Sequence, residues 1–585
     1  MNEMGEAEQW GIELAYTDTL GNRQTADPEV VRRVLASISA GCQRHDTSER
    51  HPDISEPAYQ GAAASRHWLL TLQLYAVRSG TNWGHGDFSD LAALIALTSD
   101  FGAAGIGLNP LHALFPDRPD DASPYAPSSR LFLNPLYIDV AAAPGFPGIS
   151  ELGLADELAR LRATELVEYE GVARVKMPGL RAAYRGFRNG STPRDDFDAF
   201  RDERGTALTR FAAFETLRQK FKTAWWEWPQ EWRQPTERAL DRLHATDADE
   251  LGFHEYIQWV ADRQLRQCRD LAKQRGCVVG LYSDLAVGVH AAGADVWADQ
   301  SSFLTDLSVG APPDALNRSG QDWGLTTFNP HCLAARDFEP FRQLLDATMR
   351  YAGAIRIDHV LGLNRIYVVP RGCSATQGVY LRYPFESLLA VVAQASNRQC
   401  CIVIGEDLGT VPEGFRQKLS DWGLWTYVVV LFEREHDGGF RASDRYPSNA
   451  LATFATHDLA TYAGWSTGHD LRIKRGLGIE PGETDEERGN AARALHDALA
   501  RYRHDDHEFL AIVRHLAESP SRLIAISAED ILGVVDQINV PGTVHEHPNW
   551  RRKLPATIEQ LKANERLQQV AAIFEDAARG ASARR

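Results

Sequence analysis

Eight short apolar, β-prone runs recur along the chain, separated by segments with helical spacing. The runs are WLLTLQLYAV (68–77), AGIGLNPL (104–111), CVVGLYSDL (277–285), AIRIDHV (354–360), CIVIGED (401–407), TYVVVLF (426–432), ALATFAT (450–456) and RLIAISAED (522–530). Segments such as FRQLLDATMRYAG and PFESLLAVVAQASN, before the fourth and fifth runs, have the apolar spacing of helices. This alternation predicts an α/β fold, a (β/α)8 TIM barrel with large, mainly helical insertions. The alternative that the pattern leaves open is a doubly wound open sheet.

The spacing of the runs is uneven, and the long intervals predict insertions. Residues 145–275 are too long for one helix and predict an inserted subdomain, and residues 286–353 predict a second insertion or lid. Residues 1–64 predict a small N-terminal helical segment and a polar linker (43–64), and Asp27-Pro28 is typical of a helix start. Residues 65–585 then form the catalytic barrel.

Composition narrows the classes of function. Lys and Arg number 62 against 79 Asp and Glu, and the net charge of −17 disfavours binding to nucleic acid. The chain has no apolar run of about 18 residues, so we expect no membrane span. Its N-terminus, MNEMGEAEQWGIEL, lacks the features of a secretory signal, so we expect a cytoplasmic protein. Seven scattered cysteines, without CxxC or HExxH motifs, indicate neither a disulfide framework nor a zinc site.

Three carboxylates stand at matching places relative to the predicted strands. Asp358 ends the fourth run, Glu406 ends the fifth, and Asp458 follows the seventh. Because barrel active sites lie at the carboxyl ends of the strands, these acids are expected to converge on one rim. A lone acid at a strand end is more often an ion pair or a cap, but three at matching ends indicate a site.

Strand alternation adds a chemical distinction among these acids. Arg356 and Asp358 fall on the same, lumen-facing side of the fourth strand, so Arg356 is expected to keep Asp358 ionised. An ionised carboxylate suits a glycosidic nucleophile, while a second carboxyl about 5–5.5 Å away is pushed toward the protonated form that a general acid needs. Glu406 fits that second role, although periodicity alone does not separate it from Asp407.

Eight long segments of the chain match one known family in order. They are LYAVRSGTNWGHGDFSDL (74–91), GLNPLHALFPDRPDDASPYAPSSRLFLNPLYIDV (107–140), GLYSDLAVGVHAAGADVWAD (280–299), GAPPDALNRSGQDWGLTTFNP (310–330), RIDHVLGLNRIYVVPRG (356–372), VIGEDLGTVPEGF (403–415), ATHDLATYAGWSTGHDL (455–471) and INVPGTVHEHPNWRRKLP (538–555). On these segments the chain resembles the amylomaltase family (4-α-glucanotransferase, disproportionating enzyme; glycoside hydrolase family 77). The resemblance runs from about residue 68 to residue 555.

The resemblance implies a 4-α-glucanotransferase (EC 2.4.1.25) of carbohydrate metabolism. Such an enzyme transfers segments of α-1,4-glucan to the 4-hydroxyl of an acceptor glucose or maltooligosaccharide, by retaining double displacement through a covalent glycosyl-aspartate. The implied partners are α-1,4-glucans and maltooligosaccharides, without a cofactor. Two alternatives are a hydrolase with the same carboxylates, in which water resolves the intermediate, and a catalytically silent glucan-binding protein. The intact carboxylates disfavour the catalytically silent glucan-binding protein.

The resemblance also implies roles for individual residues. Asp358 corresponds to the nucleophile and Glu406 to the general acid/base, which separates Glu406 from Asp407, and Asp458 corresponds to a third carboxylate that binds sugar hydroxyls. Tyr125 corresponds to a sugar-stacking aromatic, and Trp323 belongs to a lid from Gly310 to Gly324. The full set of implied substrate-binding residues is Arg356, His457, Asp284, Tyr125, Ser123, Trp323, Asn329 and His359.

The chain also departs from the family pattern. Many members carry a larger β-rich domain before the barrel, where this chain has a linker of about twenty residues. His85 stands where a small or aliphatic residue is usual, and Asn364 where an aromatic is common. These departures concern chain-length preference and acceptor choice, since none touches the three carboxylates.

Overall fold

Eight parallel strands form the central sheet of the protein. The computed structural model describes residues 3–17, 22–45, 56–61, 66–190, 193–313, 319–409, 411–503 and 508–583. The strands β1 to β8 are His67–Leu72, Gly105–Leu108, Gly280–Leu285, Ala354–Ile357, Ile402–Gly405, Thr426–Val429, Ala450–Thr453 and Leu523–Ser527. Each coincides with one of the eight predicted runs.

The sheet closes on itself. Its hydrogen-bonded order is β5-β4-β3-β2-β1-β8-β7-β6, and all of these pairs are parallel. The two ends meet where Ile404 pairs with Trp425, with the backbone amide of Gly405 donating to the Trp425 carbonyl over 2.8 Å. The predicted (β/α)8 barrel is therefore confirmed, and the open-sheet alternative is wrong.

Alternate residues of the strands point into the barrel and toward the surrounding helices. Ile404 belongs to the cluster that fills the barrel interior, whereas Val403 belongs to the large core between strands and helices. By this alternation Glu406 continues the inward-facing row of β5 and Asp407 the outward-facing row. The interior cluster consists of Leu69, Ala104, Val279, Tyr282, Ala354, Ile402, Ile404, Trp425, Leu451, Leu523 and Ala525.

Helices surround the barrel, and insertions follow β2 and β3. The helices that pack on the strands include Phe88–Asp100, Glu339–Met349, Phe385–Gln399, Phe415–Asp421, Glu508–Glu518 and Glu565–Ala583. The chain between β2 and β3 carries the hairpin His112–Ala113 with Ser129–Leu133 and the helices Ile149–Leu152, Ala155–Ala163, Tyr169–Asn189, Asp195–Phe221, Gln230–Arg233 and Glu237–Gln274. Further helices are Ala294–Ala298 and Pro330–Ala335 after β3, Tyr462–Ser466, His469–Gly476 and Asp485–Ala498 after β7, and Ala528–Leu532 and Ile558–Lys562 after β8.

A second, antiparallel sheet lies beside the barrel rim. In hydrogen-bonded order its strands are Val379–Arg382, Arg365–Pro370, Leu307–Ala311, Gln321–Thr326 and Val289–His290. Its apolar residues share one buried cluster with the N-terminal part of the chain. The insertions that follow β3 and β4 therefore bind the N-terminal segment to the rim of the barrel.

The N-terminal part contains the helices Glu3–Gln9 and Pro28–Ser39 and the strand pair Ala15–Thr17 with Arg23–Thr25. The predicted helix start is confirmed, since the Asp27 carboxylate accepts from the Glu29 amide over 2.7 Å. Residues 46–55 and 62–64 of the predicted linker lie outside the described residues, and the division into domains stays a prediction. Within the part of the chain that the structure describes, no helix has the length and apolar character needed to cross a bilayer.

Candidate active site

Arg356 stands at the centre of the predicted site. Its Nη1 donates to both carboxylate oxygens of Asp284, each over 2.9 Å. Its Nη2 lies 2.8 Å from Asp358 Oδ1 and 3.8 Å from Glu406 Oε2. One buried guanidinium thus contacts carboxyl groups from the ends of β3, β4 and β5, with Nη1 directed to Asp284 and Nη2 directed to Asp358 and Glu406.

Glu406 combines burial with a short distance to a second acid. It is 8% exposed, and its two oxygens accept from the backbone amides of His359 at 2.8 Å and Leu408 at 3.0 Å. Burial and the nearby Asp358 carboxylate raise the pKa of Glu406 to about 7, against the opposing effect of Arg356 and the two amides. A carboxyl group with this pKa is partly protonated at neutral pH and can act as a general acid.

Asp358 differs in part from the sequence expectation. Arg356 forms the expected ion pair with it, but burial outweighs that pair and raises the pKa of Asp358 above its ordinary value. Arg356 Nη2 lies closer to Asp358 than to Glu406, so the negative charge of the pair is better stabilised on Asp358. The geometry therefore favours the ionised form on Asp358 and the protonated form on Glu406.

Asp458 stands in a different electrostatic setting. Its Oδ1 accepts from Asn539 Nδ2 over 2.6 Å, and its Oδ2 lies 3.3 Å from His457 Nε2. Although burial alone would raise it, the pKa of Asp458 is lowered to about 2 by His457 and by the bonds from His457 and Asn539. The lowered pKa keeps the Asp458 carboxylate ionised at neutral pH, and 46% of its side chain is exposed to solvent.

Aromatic rings form one wall of the site. The hydroxyl of Tyr125 donates to Asp284 Oδ2 over 2.5 Å, and its ring stacks on His457 with centroids 4.7 Å apart. The ring of Trp550 lies 5.5 Å from Tyr125 and 5.3 Å from His457, between centroids. These contacts join the loops after β2, β7 and β8 into one wall.

A cleft opens beside this wall at the carboxyl ends of the strands. Its cavity volume is about 90 Å³, and it is lined by Tyr125, Asp284, Arg356 and His457 among others. Clefts in which a few polar groups converge are typical of small-ligand sites. Among the described residues, no group of three or more His, Cys, Asp or Glu side chains is arranged to hold a metal ion.

The structure also places His359, Trp323 and Ser123 near these residues. His359 has a left-handed backbone (φ 48°), its amide donates to Glu406, and its ring meets the ring of Trp323 edge-on at 5.4 Å. Trp323 lies on the strand Gln321–Thr326, while residues 314–318 of the predicted lid are outside the described residues. Ser123 accepts a hydrogen bond from the Tyr125 amide over 3.4 Å, which places it beside the wall.

Asn329 requires a correction, because its side chain serves the fold. It is 2% exposed, and its Oδ1 accepts from the amides of His331 and Cys332 at the start of the helix Pro330–Ala335. Its Nδ2 donates to the Ile38 carbonyl over 2.8 Å, which ties this helix to the N-terminal segment. The structure does not bring this amide to the cleft.

Two residues at the site were missed in the sequence. Asn539 and Trp550 both lie in the segment INVPGTVHEHPNWRRKLP, which carries part of the family resemblance. That segment was a signal that more of its residues belong to the site. Its periodicity could not say which side chains turn inward, because they lie on an irregular loop.

Paired carboxyl groups at a barrel rim, one of them protonated near neutral pH, characterise enzymes that act on glycosidic bonds. The sequence profile of one such family, described as 4-alpha-glucanotransferase (glycoside hydrolase family 77), matches residues 72–558. The chain belongs to this family and is an enzyme of the 4-alpha-glucanotransferase class.

Individual relatives agree with this assignment. A 4-alpha-glucanotransferase of Haemophilus influenzae is 35% identical over 539 residues, which cover 86% of this chain and 77% of the relative. One of Mycobacterium tuberculosis is 36% identical over 516 residues, covering 84% of this chain and 71% of the relative. Among solved structures, the amylomaltase of Corynebacterium glutamicum superposes with a TM-score of 0.84 at 26% identity, covering 98% of this chain and 99% of that one.

Proposed function

We propose that the protein transfers segments of α-1,4-glucan between chains by a retaining double displacement. Asp358 attacks the anomeric carbon, and Glu406 donates a proton to the departing glycosidic oxygen, which leaves a glycosyl-aspartate. In the second half, Glu406 takes the proton from the 4-hydroxyl of an acceptor glucose or maltooligosaccharide. That oxygen attacks the anomeric carbon and releases the Asp358 carboxylate.

The observation that carries this mechanism is the shared contact of two acids with one nitrogen atom. Asp358 Oδ1 and Glu406 Oε2 lie 2.8 and 3.8 Å from Arg356 Nη2. Their separation cannot exceed those two distances together. This bound on one pair of oxygen atoms is compatible with the roughly 5–5.5 Å between the carboxyl groups of retaining enzymes.

The remaining side chains have roles that fit their surroundings. Asp458, held ionised by His457 and Asn539, binds hydroxyls of the sugar at the cleavage point and stabilises its oxocarbenium-like state. Tyr125 and His457 form the wall against which that sugar packs, and Trp323 with His359 covers the other side. The substrates are neutral α-1,4-glucans and maltooligosaccharides, in keeping with the net negative chain.

Incubation of the purified protein with maltotriose tests the proposal. Transfer yields free glucose together with a ladder of longer oligosaccharides, whereas glucose and maltose alone indicate that water resolves the intermediate. The Asp358→Asn variant in the same assay is the control for contaminating activity. A product mixture without oligosaccharides longer than maltotriose contradicts the proposed transfer.

The stereochemistry of the first products tests the retaining course separately. Proton NMR of the newly formed glycosidic bonds in the lengthened oligosaccharides is expected to show the α-configuration. Newly formed β-linkages would indicate a single displacement by the acceptor hydroxyl and would contradict the glycosyl-aspartate.

A further inference from the structure

Trp550 contacts two residues of the site without lining the cleft. Its ring packs against Tyr125 at 45° and against His457 at 52°, and the residue is 5% exposed. The cleft is lined by Tyr125 and His457 themselves, and Trp550 is not among its lining residues. Trp550 therefore forms the layer behind the wall of the site.

The backbone of Trp550 adopts a conformation that is unfavourable for a large side chain. Its φ is 59°, in the left-handed region, where a residue with a Cβ is strained. Its carbonyl accepts from the hydroxyl of Tyr169 over 2.6 Å, and its amide donates to the Ile538 carbonyl over 3.2 Å. Tyr169 opens the insertion helix Tyr169–Asn189, so the insertion helps to keep the strained peptide in place.

The same segment also holds the third carboxylate. Asn539 donates to Asp458 Oδ1, and Gln537 Nε2 donates to the Asp458 carbonyl over 2.8 Å. Asn549 joins the two ends of the loop between residues 540 and 549, since its Oδ1 accepts from the Val540 amide over 2.9 Å. Residues 537–550 thus contact Tyr125, His457 and Asp458 together.

We propose that Trp550 is a positioning residue for glycosyl transfer, which fixes the rings of Tyr125 and His457 from behind. The inference rests on the proposed function, which places both rings against the sugar. The Tyr125 hydroxyl donates to Asp284 and lies 3.2 Å from His457 Nδ1, and His457 also contacts Asp458. These polar contacts hold one edge of each ring, whereas Trp550 supports the rings from behind. Without the indole, both rings gain room to move away from the sugar. A displacement of about 1 Å in such a group costs on the order of 10²-fold in rate.

The test compares Trp550→Ala and Trp550→Phe with a matched core variant, Trp228→Ala. Trp228 is 1% exposed and donates through its indole to the Thr223 carbonyl over 3.0 Å, within the insertion. All variants are assayed for maltotriose disproportionation at a temperature where circular dichroism shows them folded. We expect Trp550→Ala to lower kcat by about 10²-fold while KM changes by less than about threefold.

The comparison variants separate positioning from plain packing. Trp550→Phe retains an aromatic wall, so we expect it to restore kcat to within about tenfold of the wild type. Trp228→Ala is expected to lower the melting temperature and to leave kcat within about threefold. If Trp550→Ala behaves like Trp228→Ala, with lower stability and unchanged kcat, the role in positioning is refuted.

Tyr169→Phe supplies a second, milder perturbation in case Trp550→Ala does not fold. It removes only the hydroxyl that bonds the Trp550 carbonyl. We expect kcat to fall several-fold, and an unchanged kcat in a folded Tyr169→Phe protein would overturn the proposal. The wild type in the same assay tests the proposed function separately. If the wild type does not lengthen maltotriose, the proposed function is contradicted, whereas the positioning role is judged from the variants.

Discussion

Glu406 and Asp407 are neighbours in the chain but belong to two different regions, the inner rim of the barrel and the packed contact between β5 and β6. Glu406 lies beside Asp358 and Arg356 at the inner rim, with its Oε2 3.8 Å from Arg356 Nη2. Asp407 is completely buried, and its carboxylate accepts from Arg416 Nε at 2.6 Å, Thr426 Oγ1 at 2.8 Å and the Tyr427 amide at 3.2 Å.

The difference shows that two consecutive residues at the end of β5 can have different surroundings, one in the candidate site and one in the packed core. Asp407 accepts hydrogen bonds from Thr426 and Tyr427 on β6 and from Arg416 on the helix Phe415–Asp421, so its carboxylate stabilises the packing of these elements. Glu406 receives two backbone amides but keeps a raised pKa of about 7, so it can exchange a proton. Two acids of similar type thus acquire different roles from the direction in which alternate residues point.

The largest expected effect comes from replacing Asp358, the proposed nucleophile, with which Glu406 is proposed to act. Asp358→Asn is expected to reduce transfer by about 10⁴-fold or more, since an amide does not form the glycosyl ester. Steady-state transfer with maltotriose measures it, and a thermal melt checks the fold. Near-wild-type turnover in a well-folded variant would remove Asp358 from the mechanism.

Glu406→Gln is expected to lose about 10²–10⁴-fold on ordinary glucans, because no acid protonates the departing sugar oxygen. Fluoride leaves without protonation, so α-maltosyl fluoride should still glycosylate Asp358. The second half-reaction then lacks its base, and the glycosyl-enzyme should accumulate. Intact-protein mass spectrometry detects the added sugar mass.

The matched control for that experiment is Asp407→Asn, which should show no such accumulation. Accumulation in Asp407→Asn together with normal glucan turnover in Glu406→Gln would mean that the roles of the two acids are exchanged.

Strand periodicity predicted the barrel, and it predicted that Asp358 and Glu406 follow neighbouring strands at their carboxyl ends. Buried parallel strands are apolar along their whole length, so each appears in the sequence as a distinct run. Alternation placed Arg356 and Asp358 on one side of β4, and they form the expected ion pair. These signals are local, because they depend on residues one or two positions apart.

The contacts that periodicity could not supply join distant parts of the chain. Asn539 reaches Asp458 from 81 residues away, and the aromatic contacts of Trp550 come from an irregular loop. Asn329 was misassigned for the opposite reason, since a polar residue beside a conspicuous motif serves as a helix cap instead. The effect of burial on the pKa of Asp358 also depends on the folded site. The presence of Arg356 two residues earlier in the sequence does not reveal how deeply Asp358 is buried.

The pH dependence of transfer gives a smaller, graded effect. Glu406 must be protonated to release a sugar oxygen, and its pKa is raised to about 7 by burial and Asp358. We therefore expect the pH profile of kcat/KM for maltotriose to have an alkaline limb that begins near pH 7, along which kcat/KM falls about tenfold per pH unit. Formation of the glycosyl-enzyme from α-maltosyl fluoride should lack this limb. An equal limb with both donors would assign it to a different group.

Asp407→Asn is expected to have the smallest effect on catalysis and a clear effect on stability. The amide cannot replace the carboxylate toward Arg416 Nε, Thr426 Oγ1 and the Tyr427 amide together, because its NH₂ group donates where an acceptor is required. Arg416 is 62% exposed, so most of the loss comes from the buried partners, and we expect the free energy of unfolding to fall by about 1–3 kcal/mol. Urea unfolding measures this change, and transfer assays below the melting transition should give kcat within about threefold of the wild type and the same alkaline limb near pH 7. A displaced limb at unchanged stability would place Asp407 on the catalytic side of the strand and remove the distinction between the two acids.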